Sequence, residues 1–311
     1  MRGVRITADG VRVLDVPEPT GTGVRVDVVS SGICGSDLHL AAMGPLPVTL
    51  GHEFSGRLED GTVVAVDPSR PCGECDQCHA GATHRCRTGA ARAVGIGADG
   101  GLADAVMVPA TALVPLPPGL DGSDACLVEP LAVAVHGLRV GDVGATTRVA
   151  VVGGGTIGLA AVAAAAGLGA ETALAARHPH QRSAGERLGA ALVGKGEYDV
   201  VVEAAGTEAA LAQAADLCRP GGLILFLSTH WGPVAIPGFA ALMKELAFRW
   251  SYTYGEHAGG RDVDDAAALL ARSPAIASTL ITHRFPLDDA AAAFAVAADR
   301  AAGAIKVVLE P

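Results

Sequence analysis

Hydrophobic positions along the chain fall into two textures. Up to about residue 118 they come as short Val-rich runs, alternating with polar positions and broken by Gly and Pro. That pattern predicts half-buried strands, here over residues 24–29 and 62–66, and an antiparallel β domain. From about residue 132 the pattern changes. Apolar runs at 149–152, 172–176, 199–203 and 223–227 read as buried strands, and Ala-rich segments at 157–166 and 209–218 read as helices. Strand and helix in alternation predict an α/β half built on a parallel sheet. The tail predicts helices over 263–271 and near 288–298 and a closing strand over 304–309.

With 311 residues the chain is long enough for two cores, and with 50% apolar and 18% charged residues it is not a disordered protein. A formal net charge of -10 argues against a general basic surface for nucleic acid. The opening 16 residues are interrupted by charges and contain no apolar signal core. The uncharged run 149–170 is long enough to raise a membrane span, but its glycines divide it into a strand, a turn and a helix. A soluble, cytoplasmic protein with no membrane or nucleic-acid partner is expected. Its seven cysteines are an odd count, which argues against a disulfide framework. Cys126 and Cys218 read as small buried hydrophobes.

The first apolar run of the second half leads into Gly153-Gly154-Gly155-Thr156-Ile157-Gly158. Gly153, Gly155 and Gly158 fit the dinucleotide fingerprint, which needs a tight turn, a close approach of backbone to pyrophosphate, and close helix packing. The N–H groups of the following helix, from Thr156 and Ile157 on, then face the phosphates. An acid at the end of the next strand would bind the ribose diol of NAD, but Glu171 stands before that strand. Arg177 stands after it, followed by His178 and Arg182. A guanidinium there suits a 2′-phosphate, so NADP is expected rather than NAD.

Cys72, Cys75, Cys78 and Cys86 form a C-x-x-C-x-x-C-x7-C cluster. Four thiolates so close together suit a closed, tetrahedral structural zinc. An iron–sulfur cluster is the competing reading, although Arg87 stands where a proline commonly follows the last ligand. A second set is dispersed: Cys34 in Cys34-Gly35-Ser36-Asp37-Leu38-His39, His52 and Glu53 after Gly51, and Glu129 before Pro130. Cys, His and carboxylate are the ligand types of an open zinc site, but no periodicity joins them.

These segments, in this order, together with Pro220-Gly221-Gly222 and the tail Ala304-Ile305-Lys306-Val307, resemble the zinc-containing medium-chain alcohol dehydrogenases. The likeness is strongest to the sorbitol, threonine, butanediol and glucose dehydrogenase branch. The resemblance implies an α/β protein with a GroES-like catalytic domain (1–131 and 263–311) around a Rossmann doubly wound parallel sheet domain (132–262). It implies an active site in the cleft between them, with Cys34, His52 and Glu129 around a catalytic zinc and Glu53 as a ligand or its neighbour. The expected reaction is hydride exchange between NADP(H) and a secondary alcohol or polyol and its ketone. Ser36 and His39 are expected to carry the proton out, and Glu129 is a second candidate through a zinc-bound water. A homodimer or homotetramer is expected through the Rossmann sheet edge, with 248–254 as the aromatic-rich candidate edge. Other readings are an NADPH-dependent reductase of a C=C or C=N bond and a non-catalytic zinc- and nucleotide-binding sensor. The stretches between His39 and Gly51 and between Glu53 and Cys72 are short for the family, and Leu40 stands where its polyol enzymes often carry an aromatic residue.

Overall fold

A computed structural model of the chain describes residues 1–194, 196–299 and 301–311. The chain forms two compact units, Met1–Glu129 with Gly255–Pro311, and Pro130–Tyr254. Within the first stretch, β1 (Arg2–Thr7) and β2 (Gly10–Asp15) make an antiparallel ribbon. Then come β3 (Val24–Gly32), helix α1 (Gly35–Met43), β4 (Glu53–Arg57), β5 (Val63–Val66), the short helix α2 (Asp76–His79), β6 (Ala105–Val108) and β7 (Leu113–Pro115). In β3 the alternation is visible: Val26 and Val28 are buried while Arg25 and Asp27 are exposed.

Helix α3 (Val128–Val140) leads into the second unit, where six strands alternate with helices. These are β8 (Arg148–Val152), α4 (Thr156–Gly167), β9 (Glu171–Ala175), α5 (Pro179–Arg187), β10 (Ala191–Leu192), β11 (Tyr198–Glu203), α6 (Glu208–Leu217), β12 (Cys218–Phe226), α7 (Gly238–Met243) and β13 (Ala247–Trp250). Among the described residues every pair in this sheet is parallel, in the order β10-β9-β8-β11-β12-β13. The chain runs outward from β8 in one direction, then returns to β11 beside β8 and runs outward in the other. The ends of β8 and β11 therefore flank the switch point where such sheets take ligands. The core here is Val, Ala and Leu around Phe226, with Val152, Val201, Leu211 and Ile224. The edge strand β13 ends in Trp250, whose ring stacks on Phe226 at 4.3 Å.

Back in the first unit, β14 (Glu256–His257) and β15 (Gly260–Arg261) form a hairpin, followed by α8 (Asp262–Arg272), α9 (Ala275–Leu280), β16 (Ile281–Pro286), α10 (Ala290–Ala298) and β17 (Lys306–Glu310). The main sheet of this unit has the order β16-β17-β3-β4-β5-β7, with β6 also on β3. β6 pairs with Val24–Asp27, whereas β17 pairs with Ser31 and Gly32. The tail thus lies against the end of β3, which brings Lys306 to the loop that follows it.

Several details differ from the sequence pattern. The predicted helix at 209–218 stops at Leu217, because Cys218 is already extended and starts β12. The segment near 288 opens as a single 3-10 turn, Leu287–Asp289, before α10 begins. β16 has no apolar run to mark it in the sequence, because Thr, His and Arg interrupt its apolar positions, although its burial alternates strictly. The uncharged run 149–170 is divided between β8, the glycine turn and α4, and no helix of the described residues is long and apolar enough to cross a membrane.

Candidate metal and dinucleotide sites

The cysteine loop has little to hold it by packing. From residue 71 to residue 93 no residue is buried. The Sγ atoms of Cys72, Cys75, Cys78 and Cys86 nevertheless lie within 4.8 Å of one another. Cys75 and Cys78 are 3.6 Å apart, and Cys72 and Cys78 are 3.9 Å apart. A tetrahedron of thiolates at the usual Zn–S distance of about 2.3 Å has edges of about 3.8 Å. The set fits one tetrahedral ion, and there is no room between the sulfurs for a cluster of several irons. Cys75 caps α2 and Cys78 follows one turn later, which explains how C-x-x-C places two sulfurs side by side. The N–H of Cys72 lies 3.2 Å from Cys86 Sγ and, with that of Thr88, pushes that thiol down to about 6. The N–H of Arg87 lowers Cys75, while desolvation pushes Cys78 up to about 11. Arg87 grips Asp76 with two bonds of 2.5 and 2.7 Å, closing the loop from outside.

The dispersed set is assembled by strand register. Gly32 of β3 pairs with Glu53 of β4, so the residues just past Gly32 meet those around Glu53. Cys34 is the N-cap of α1, and His52 immediately precedes β4. One ligand atom each of Cys34, His52 and Glu53 lies within 4.8 Å of the others, with His52 and Glu53 buried. Asp37, on the first turn of α1 and fully buried, accepts the N–H of Cys34 at 2.9 Å through Oδ2. Its Oδ1 lies 3.5 Å from His52 Nδ1. Both atoms are buried without a hydrogen-bond partner, so this is an electrostatic contact rather than a hydrogen bond. Burial opposes charge on His52, but Asp37 and Cys34 outweigh it and hold its pKa well above the ordinary range. With Nδ1 turned to a carboxylate, Nε2 is left for a metal, an orientation common among metal-binding histidines. Ser36 Oγ lies 3.3 Å from that Nε2. His39 is half-buried on α1, one turn after Ser36 and on the same face.

Glu53 has a second tie. Its Oε2 accepts a short hydrogen bond from Lys306 Nζ, which also donates to the Ile33 carbonyl at 3.0 Å. Both side chains are essentially inaccessible, at 2% for Lys306 and 1% for Glu53. A Cβ at Gly32 would stand 2.4 Å from Glu53 Oε2, so only glycine leaves room for the pair. Glu129 is buried on the first turn of α3 and does not join the cluster of Cys34, His52 and Glu53. A third group, His257, Asp262 and Asp265, also clusters. There Nδ1 of His257 accepts the N–H of Gly259, which leaves the proton on Nε2, 3.0 Å from Asp265. We read it as a clamp between the β14–β15 hairpin and α8.

In the second unit, β8 runs into the glycine turn and α4. Gly153 has φ +116°, and a Cβ on it would meet the backbone of Ala204 at 2.9 Å. A Cβ on Gly158 would stand 1.9 Å from the Gly153 carbonyl, whereas at Gly155 it would meet nothing within 4 Å. The turn is therefore closed on its inner side and open at Gly155. Gly155 is the N-cap of α4 and no side chain caps that helix, so the N–H groups around Thr156 and Ile157 carry its positive end. Glu171 opens β9 and is paired with Arg148 at the start of β8, at the opposite end of the strands from the glycine turn. Arg177 is exposed just past β9, and His178 is the N-cap of α5. Arg182 folds back so that Nη1 donates to the carbonyls of Ala176 and Arg177, at 3.1 and 2.8 Å.

The comparisons with known proteins agree with this geometry. Residues 20–118 match the family described as the alcohol dehydrogenase GroES-like domain. The chain is 31% identical over 307 residues to the 2-dehydro-3-deoxy-L-galactonate 5-dehydrogenase of Pseudoalteromonas atlantica, covering 89% of this chain and 88% of that one. It is 30% identical over 310 residues to the D-xylulose reductase A of Aspergillus oryzae, covering 87% and 85%. A zinc-binding dehydrogenase from Sinorhizobium meliloti, solved with NADP bound, superposes with a TM-score of 0.86 at 34% identity, over 100% of this chain and 99% of that one. The chain belongs to the zinc-containing medium-chain alcohol dehydrogenase family, in the branch of polyol and sugar-acid dehydrogenases, with a GroES-like unit and a Rossmann unit.

The sequence reading missed two functional residues, Asp37 and Lys306. Asp37 left a trace, as a carboxylate three residues after an N-cap position. Lys306 stands in the resembling tail 304–307, but its pairing with Glu53 leaves no trace there, since the partner lies 253 residues away.

Proposed function

We propose that the protein interconverts a secondary alcohol of a polyol or sugar acid with its ketone, using NADP(H) and a zinc ion held by Cys34, His52 and a carboxylate. The observation that carries this reading is the buried donor set of Cys34, His52 and Glu53, with Asp37 behind the histidine. Zinc bound there supplies Lewis acidity toward the substrate oxygen. Lys306 balances the charge of Glu53, so the donor set would add little more than the one negative charge of the thiolate and would leave a bound metal electrophilic. Asp37 fixes the His52 ring. Ser36 relays the proton of the alcohol, handing on its own hydroxyl proton as it takes that one, and the relay runs through the cofactor's ribose hydroxyls to His39, which passes a proton to solvent. Glu129, buried on the first turn of α3 and outside that cluster, is the second candidate for carrying the proton. The four-cysteine cluster takes a second, structural zinc.

NADP is preferred because Arg177 stands free to reach a 2′-phosphate and no acid stands at the end of β9, while Arg182 holds the loop that presents it. The relatives named above act on sugar-derived alcohols or ketones, and one of the structures binds NADP. The protein works in the cytoplasm as a dimer or tetramer of copies joined through β13, with Trp250 half-exposed at the end of that strand, Tyr252 half-exposed just past it, and Phe239 and Leu242 exposed on α7. Initial rates with NADP and NAD against secondary alcohols, polyols and sugar acids test the reading. Turnover of one class, faster with NADP, is expected. Turnover only with NAD would remove the role of Arg177, and turnover of none would remove the alcohol chemistry.

A further inference from the structure

At the switch point of the parallel sheet lies a polar network that the proposed reaction does not use. Glu203 ends β11 and is completely buried. Its Oε1 accepts the N–H groups of Ala205 and Gly206, at 2.9 and 2.8 Å, and its Oε2 accepts a short hydrogen bond from the Ser228 hydroxyl. His230, in the turn after β12, has Nε2 at 3.0 Å from Ser228 Oγ and 3.4 Å from Glu203 Oε2. Its ring meets Phe226 edge-on, and 14% of the side chain remains exposed. Ser228 gives its proton to Glu203, so the serine oxygen accepts from His230 and Nε2 carries the hydrogen. In the neutral ring Nδ1 is then an acceptor, and no described residue satisfies it.

The network also shapes the wall beside the glycine turn. The loop pinned by Glu203 packs Ala204 against Gly153, and Gly206 faces Ser228. In a doubly wound sheet the half containing the glycine turn takes the pyrophosphate and the adenosine ribose, and the other half takes the second nucleotide. His230 belongs to that other half, at the carboxyl end of its strands.

We propose that His230 is a cofactor-binding residue for the nicotinamide half of the dinucleotide, accepting through Nδ1 a hydrogen bond from an O–H or N–H of the nicotinamide nucleoside, with Ser228 and Glu203 as positioning residues. This rests on the reading of the second unit as a nicotinamide dinucleotide site. Phe226 supports the ring from one side, so His230→Phe removes both nitrogens while keeping an aromatic ring in place.

The test is fluorescence titration of the full chain with NADPH and NADH, and with two fragments that lack nicotinamide, 2′,5′-ADP and ADP, by competition. The loss of one hydrogen bond weakens the dinucleotides about three- to tenfold in His230→Phe, while the fragments bind as to the unchanged protein. His230→Gln, which keeps an acceptor, recovers part of the loss. A dinucleotide affinity unchanged in His230→Phe overturns the proposal. So does an equal loss for the fragments, because the residue then acts on the fold of the crevice. Failure of the unchanged protein to bind either dinucleotide defeats the cofactor reading itself, and this inference with it.

Discussion

Lys306→Met tests whether the buried ion pair beside the metal ligands behaves as its surroundings require. Lys306 and Glu53 are 2% and 1% exposed. Burial opposes the charge on Lys306, but Glu53 together with Cys34 outweighs it and holds the ammonium above its ordinary range. Methionine fills similar volume but leaves the Glu53 carboxylate without its cation and the Ile33 carbonyl without its 3.0 Å donor. Breaking one side of such a pair costs about 3–5 kcal/mol, because the partner charge stays buried. That is a large share of the ~5–15 kcal/mol typical of a whole domain. Glu53→Gln with Lys306→Met removes both charges, and most of the loss is recovered. Metal binding to the native state would mask the effect, so the assay uses chelated protein. Hydrogen exchange of peptides from β3, β4 and β17 reports on the first unit. Trp231 and Trp250 both lie in the second unit, and their fluorescence in urea is an internal reference. The single variant is expected to lose protection in the first unit while the tryptophan transition stays in place. A loss under about 1 kcal/mol, or an equal shift of the tryptophan transition, would refute the reasoning.

Three further outcomes are expected. Cys72→Ser lowers bound zinc by one ion per chain and opens the 71–93 loop to proteases, since that stretch buries no side chain; a full zinc content by elemental analysis would contradict it. Arg177→Ala weakens NADP by about ten- to a hundredfold, the value of charge-assisted hydrogen bonds to a phosphate, and leaves NAD unchanged in titration. Asp104 accepts three bonds from Arg2 and, although burial pushes the other way, Arg2 holds its pKa low. Its contribution is therefore present above the ordinary aspartate range and lost as pH falls below it, so Asp104→Asn flattens the acid side of a stability–pH curve; an unchanged slope would remove the ion pair from the account.

Much of this architecture is legible in the sequence. The glycine turn is local, since the strand, the turn and the helix follow one another, and Gly153 and Gly158 each have a steric reason at their own positions while Gly155 leaves the turn open. The cysteine loop is local as well, because C-x-x-C over one helical turn sets two sulfurs side by side. The second donor set is not local. Cys34 and Glu53 meet only through the register Gly32 opposite Glu53, and Lys306 arrives on a strand from the far end of the chain. A pattern along the sequence carries no register, so only resemblance to a family joined them. Glu203 and His230 were hidden for a different reason: a carboxylate closing an apolar run reads as the strand's solvent end until the depth of the site is known.

The central claim is tested most directly by the fate of one hydrogen. Secondary polyols and sugar acids deuterated at the carbinol carbon are incubated with zinc-loaded protein and NADP, and the reduced cofactor is weighed by mass spectrometry. Direct transfer predicts deuterium on the nicotinamide from one substrate class, and none in His52→Ala, whose fold is kept. Transfer that is undiminished in His52→Ala, or reduced cofactor without deuterium, would contradict the account.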